Sequence, residues 1–198
     1  MNGAGKSSVA GAFLRSAGVR HYDPDVAARA ILAGKPSLSQ TQANGIAWAQ
    51  GKRMLERAIA RRERFAFETT LGGGTIVALL ERAARLGIEV RVWFCGLATP
   101  ELHIERVRRR VAKGGHDIPD ADIRRRYDAS RAHLIRLLPL LAELKLYDNS
   151  EEADPNVSTP LPRLLLHWRR GRIVGPRSRR ETPGWARAIV AAAEALGR

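Results

Sequence analysis

The chain has 198 residues, the size of one domain with a substantial core, and its 44% hydrophobic and 27% charged residues are those of a globular protein. Its formal net charge of +14, carried by Arg far more than by Lys, favours anionic partners such as nucleotide phosphates or nucleic acid. A lone cysteine, Cys95, excludes a disulfide framework or a cysteine-built metal site, no apolar run approaches the roughly 18 residues that span a bilayer, and the amino terminus lacks the basic-then-apolar order of a signal peptide. A cytoplasmic protein without membrane association is expected.

The chain opens MNGAGKSS, in which Gly5, Lys6 and Ser7 match the second half of the phosphate-loop pattern G-x-x-x-x-G-K-[ST]. Glycines that expose backbone N–H groups, leading into a helix amino terminus, form a cradle for phosphate oxygens. On this reading Asn2, Gly3, Ala4, Gly5, Lys6, Ser7 and Ser8 bind the nucleotide; Lys6 reaches its outer phosphates and Ser7 holds Mg²⁺. Val9, Phe13 and Leu14 recur at helical spacing, so a helix is expected over 6–16, ended by Gly18. The first glycine of the pattern, and the strand that usually precedes it, would fall ahead of Met1. Either a start further upstream or a decayed copy is therefore expected.

HYDPDVAARAIL contains a turn at Asp23-Pro24 that opens a second helix. Asp25 is a candidate general base, since phosphoryl transfer to a hydroxyl needs a carboxylate beside the acceptor; the alternative is a helix cap. Met54, Leu55, Ala58 and Ile59 mark a helix within 41–62. RFAFETT (64–70) reads as a short buried strand ending in an acid, with Glu68 and Thr70 as candidate substrate ligands. A glycine turn and the helix TIVALLERAARLG follow, then the strongest strand signal of the chain, EVRVWFCGL (89–97), in which Cys95 reads as a buried, reduced core residue.

A helix over 99–112 places Arg106, Arg110 and Lys113 on one face and Ile104, Val107 and Val111 inward. After Gly114-Gly115-His116, where His116 is expected to fix the turn, a long helix from about Asp120 to Leu141 carries Arg124, Arg125 and Arg126, with an interruption at Pro139. Tyr127 is expected to pack between helices, and the other histidines show no metal-ligand spacing. Two arginine-bearing helices joined by glycines have the form of a nucleotide-kinase lid, in which arginines neutralise the transferring phosphoryl group. KLYDNS reads as a further strand, RLLLHWRRGRIV as a hairpin turning at Arg170-Gly171, GPRSRRETP as mobile, and TPGWARAIVAAAEALG as a capped helix. Strands alternating with helices predict an α/β protein built on a mostly parallel sheet with helices on both faces.

NGAGKSS, DPDVAAR, FAFETTL, RVRRRVAKGGHDIP, IRRRYDAS and LYDNS, in that order, resemble the zeta toxin-like P-loop kinases and ATP-binding proteins. The resemblance runs from residue 1 to about 150 and weakens beyond. It implies a P-loop three-layer α/β/α fold in one domain over 1–198, with a lid at about 99–133 and a carboxy-terminal hairpin and helix at about 161–197. It implies ATP or GTP with Mg²⁺ as donor and a hydroxyl acceptor, which in the toxins belongs to a UDP-amino sugar. Lys6 matches the loop lysine, Asp25 the base, Glu68 and Thr70 the substrate-site acid and threonine, and Arg110 and Arg126 the lid arginines on the donor phosphates. It further implies an antitoxin protein as partner. Two alternatives stand beside this kinase: a nucleic-acid-directed P-loop kinase, suggested by the charge, and an inactive ATP-binding remnant, suggested by the missing first strand.

Overall fold

The computed structural model describes residues 4, 19–115, 117–151, 161–176 and 181–197. The protein is α/β, and the chain divides into two compact units, one formed by residues 10–69 and the other by 1–9 with 70–198.

The smaller unit contains β1 (Arg20–Tyr22), α1 (Pro24–Gly34), α2 (Gln40–Arg61) and β2 (Phe65–Phe67). β1 and β2 pair in parallel, and Glu68 N donates to the Tyr22 carbonyl to extend the ladder. At three residues β1 is too short to show alternation. Ser39 caps α2 in a reciprocal capping box with Gln42, which starts the helix where its apolar spacing begins. α1 packs on α2 through Ala28, Ala43 and Ala47, all buried; small side chains allow the two backbones to approach closely. Tyr22 ties β1 to α2. Its hydroxyl donates to the Ala47 carbonyl at 2.6 Å, and its ring lies where a Cβ on Gly51 would stand, 2.6 Å from Cε1. Burial raises the Tyr22 pKa, with the Asp23 carboxylate adding to the effect.

The larger unit holds α3 (Gly74–Arg85), β3 (Arg91–Gly96), α4 (Pro100–Val111), α5 (Asp120–Leu137), β4 (Glu143–Asp148), β5 (Arg163–Arg169), β6 (Arg172–Gly175) and α6 (Arg187–Leu196). Its sheet has the order β3-β4-β5-β6. β3 and β4 are parallel, whereas β4–β5 and β5–β6 are antiparallel. Among the described residues, parallel and antiparallel pairings are thus balanced rather than mostly parallel. The antiparallel half comes from the carboxy-terminal hairpin, which turns at Arg170 (φ 46°) and Gly171 (φ 81°), the pair of left-handed residues that suits the twist of a two-residue hairpin loop. Leu97, Leu134, Leu137, Leu138, Leu144, Leu146, Leu166 and Ile189 are fully buried and form the centre of the core.

Helix ends follow local chemistry. Gly87 at φ 74° closes the turn after α3, and Thr99 caps α4 by accepting from Leu102 N. The long helix expected to reach about Leu141 ends at Leu137 instead. Pro139 cannot donate to the α-helical ladder, and Leu138–Leu140 tighten into a 3-10 turn. α4 likewise stops at Val111, so Lys113 lies in the following turn and not on the helix face with Arg106 and Arg110. The carboxy-terminal helix is preceded by a 3-10 turn, Gly184–Ala186. The expected helix over 6–16, residues 152–160 and residues 177–180 lie outside the described residues.

Two glycines give a testable contrast. A Cβ on Gly96 would stand 2.4 Å from Trp185 Cη2, in the closed space where Trp185 also stacks on Phe94, whereas a Cβ on Gly45, within α2, meets nothing within 4 Å. Gly96→Ala should destabilise the protein by about 1–3 kcal/mol through overpacking. Gly45→Ala should be neutral or stabilise by up to about 1 kcal/mol through helix propensity. Urea unfolding of both variants checks the pair.

Candidate functional site

The first cluster forms where β3 and β4 end. Their parallel register sets Cys95 opposite Tyr147 and Gly96 opposite Asp148, so the carboxyl ends of the two strands lie side by side. Asn149 N donates to the Gly96 carbonyl, one step beyond the ladder. Ala4, from the middle of NGAGKSS, is buried here. Its carbonyl accepts from Cys95 Sγ at 2.8 Å and from Asn149 Nδ2 at 3.1 Å. Asp148 holds the adjoining turn: its Oδ1 accepts from Ser150 N, from the Ser150 hydroxyl and from Trp185 Nε1, and its Oδ2 lies 3.7 Å from Arg163 Nη2. Cys95 is buried and unbridged, as expected. Asn2, Gly3, Gly5, Lys6, Ser7 and Ser8 lie outside the described residues, so of the predicted loop the structure describes Ala4.

The candidate acceptor residues of the smaller unit gather around the ends of β1 and β2. Asp23, not Asp25, is the amino-terminal cap of α1, accepting from Asp25 N at 2.8 Å and from Val26 N at 3.4 Å. Asp25 occupies the first turn, where the helix dipole favours a carboxylate. Glu68 follows β2, and its Oε1 lies 3.8 Å from His21 Nε2, an ion pair when the imidazole is protonated. His21 was not singled out in the sequence. It sits in a strand too short to carry a periodic signal, and its partner stands 47 positions further along the chain. The cap of the following helix α3 is Gly73, which makes no side-chain cap bond.

Thr70 belongs to the larger unit, where its hydroxyl accepts from Gly72 N at 3.4 Å. The loop that follows it is held by α5. Leu71 is buried at φ 55°, a left-handed conformation uncommon for a branched residue, and His133 Nδ1 donates to its carbonyl at 2.8 Å. Arg126 lies on Gly72 so closely that a Cβ there would come within 2.6 Å of its Cγ. The same Arg126 donates to Asp122 at 3.1 Å. Arg110 packs in the same way on Gly115, and Gly114 takes φ 82°, so the Gly-Gly turn is a tight closure. His116 lies outside the described residues.

α4 and α5 share a small core of Ile104, Val107, Ile118 and Ile123, with Val111 against it. Two ion pairs span the helices, Arg108 with Asp120 at 2.7 Å and Arg124 with Glu101. Arg109 pairs with Glu105, and Arg125 with Asp122 at 2.8 Å. Arg106 donates to the Glu151 carbonyl. Tyr127 packs between elements as expected: its ring meets the edge of buried His103, Arg131 lies over its face at 3.8 Å, and its hydroxyl donates to the Ala98 carbonyl at 2.7 Å. Burial raises its pKa. The Arg125 hydrogen bond, with Arg126 and Arg125 charges added, lowers the Asp122 pKa, and the Arg124 hydrogen bond lowers that of Glu101.

Among the described residues, no group of three or more His, Cys, Asp or Glu side chains could hold a metal ion, and no helix is long and apolar enough to cross a membrane. No protein-family model matches the chain, and no solved structure matches it. It is similar to a Haemophilus influenzae protein described as uncharacterized, 29% identical over 126 residues that cover 64% of this chain and 86% of that one.

The carboxylates of α4 and α5 set a pH dependence. Both Asp122 and Glu101 have folded-state pKa values below their ordinary 3.8 and 4.5, so the stability they confer is fully present above the ordinary values and is lost as pH falls through the folded ones. The doubly substituted Glu101→Gln, Asp122→Asn protein should therefore lose less melting temperature than the parent between pH 5 and the acid limit of folding. Thermal melts monitored by circular dichroism across that range check it.

Proposed function

We propose that the protein is an ATP-dependent phosphotransferase of the zeta toxin-like group, transferring a phosphoryl group to a hydroxyl of a small-molecule acceptor. The observation that carries this reading is the place of Ala4. The centre of a glycine-lysine-serine phosphate-loop sequence lies at the carboxyl ends of two parallel strands, where open α/β sheets bind their ligands. A lid-like pair of arginine helices in the same unit supports it.

In this proposal Lys6 and the loop amides hold the donor phosphates, and Ser7 would hold Mg²⁺, which would supply charge neutralisation. Arg110 and Arg126 stabilise charge on the transferring group. Both are anchored by close contact of their stems with glycine, a packing that restricts the rotamer freedom an arginine otherwise has to lose when it engages a phosphate. Asp25 takes the proton of the acceptor hydroxyl. It stands in the first turn of α1, directly after the Asp23-Pro24 cap. Glu68 and Thr70 bind the acceptor, and His21 opposite Glu68 sets the charge balance on that side.

The net charge favours a second reading, a kinase acting on nucleic acid. It is weakened by the ion pairing of the lid, where Arg108, Arg109, Arg124, Arg125 and Arg126 each meet a carboxylate of the chain.

The test is ATP turnover by the purified protein with and without UDP-amino sugars, other small hydroxyl compounds, and DNA or RNA oligonucleotides. Small-molecule acceptors should stimulate turnover, and Asp25→Asn should reduce the stimulated rate by about 10²–10⁴-fold. Lys6→Ala should abolish Mg·ATP binding. Stimulation by oligonucleotides alone would favour the second reading, and turnover indifferent to every acceptor would sink both.

A further inference from the structure

We infer that Asn149 is a positioning residue for the phosphate loop, acting through the Ala4 carbonyl, with Cys95 as its auxiliary. This deepens the phosphotransferase reading and rests on it for the identity of the ligand, while the contact itself stands on the geometry. A carbonyl oxygen has two lone pairs, and the buried Ala4 oxygen finds both its donors in the larger unit, Asn149 Nδ2 and Cys95 Sγ.

The donors are themselves held. Cys95 is within β3, its Cα paired with Tyr147 in the parallel ladder. Asn149 is fixed on each side: its N–H donates to the Gly96 carbonyl, Asp148 is tied to Trp185 Nε1, and the Ser150 N–H and hydroxyl donate back to Asp148. Trp185 in turn reaches Asp148 across the bare face of Gly96. Half-buried Asn149 therefore presents its amide with little freedom, and the cost of ordering it is met by folding before any ligand arrives. A phosphate loop binds through backbone N–H groups, which cannot be aimed by their own side chains. Holding the Ala4 carbonyl holds the plane of the one peptide unit to which it belongs.

The inference makes a prediction about the type of substitution. Asn149→Ala removes a donor. Asn149→Asp keeps the shape but sets a carboxylate oxygen against the Ala4 carbonyl, which should be worse. Two measurements on the full chain test it: backbone hydrogen exchange over residues 3–6 without nucleotide, and Mg·ATP affinity with the steady-state constants. Exchange should quicken about five- to tenfold in Asn149→Ala and more in Asn149→Asp, the loss of one hydrogen bond to a buried group. KM for ATP should rise by a similar factor while kcat changes less than threefold, because Asn149 touches no reacting atom. Melting temperatures identify any variant whose fold is compromised, and Cys95→Ala, which removes the other donor, then provides the same exchange readout. Unchanged exchange in folded variants would overturn the inference whatever the nucleotide does. Quickened exchange with normal ATP affinity would overturn the role in nucleotide binding. Quickened exchange in a parent protein that binds no Mg·ATP would leave the contact standing and reject the phosphotransferase reading.

Discussion

The parallel register of β3 and β4 is the constraint from which the features of the larger unit follow. With Gly96 opposite Asp148, the ladder runs out at the same level on both strands, and the backbone beyond must find other partners. Asn149 N–H closes on the Gly96 carbonyl, and Asn149 and Cys95 together satisfy the Ala4 carbonyl. A one-residue slip would turn Cys95 to the other face and separate the two donors. The bareness of Gly96 belongs to the same constraint, since Trp185 occupies the space a side chain would need and holds Asp148 through its indole N–H.

Charge is handled locally. An excess of arginine on two neighbouring helices would repel itself, and the acids of α4 and α5 are placed to prevent this: Glu101, Glu105, Asp120 and Asp122 each meet an arginine. These pairs are largely exposed, and such pairs contribute about 0–1 kcal/mol each. They orient guanidinium groups at small energetic cost. The small core of Ile104, Val107, Ile118 and Ile123 keeps the pair of helices together.

Among the described non-glycine residues at positive φ, Arg62, Leu71 and Arg170, Leu71 is the buried one, between Thr70 and the glycines that lead into α3. Such a residue costs of order 1–3 kcal/mol and persists where its surroundings over-determine it. Here α5 supplies that determination, through the His133 bond to the Leu71 carbonyl and the Arg126 stem against Gly72. The same helix thus carries a proposed phosphate ligand and restrains the loop adjoining a proposed acceptor ligand.

Helix positions and their signals were legible from residue order, because they depend on neighbours a few positions apart. The stripe of α2, the amphipathic α3, the apolar run of β3, the stop at Pro139 and the turn at Arg170-Gly171 all rest on spacing, propensity or backbone freedom. The candidate loop at 2–8 and the arginines of α4 and α5 were read in the same way. What only the tertiary structure decided lies at larger separations. The pairing of His21 with Glu68, the capping of α1 by Asp23, the hold of α5 on Leu71, and above all the meeting of Asn149 and Cys95 on the carbonyl of Ala4 leave no periodic trace. Hydrogen bonds between residues 91 and 145 positions apart are set by strand order and register, which the spacing of side chains along a single strand does not encode.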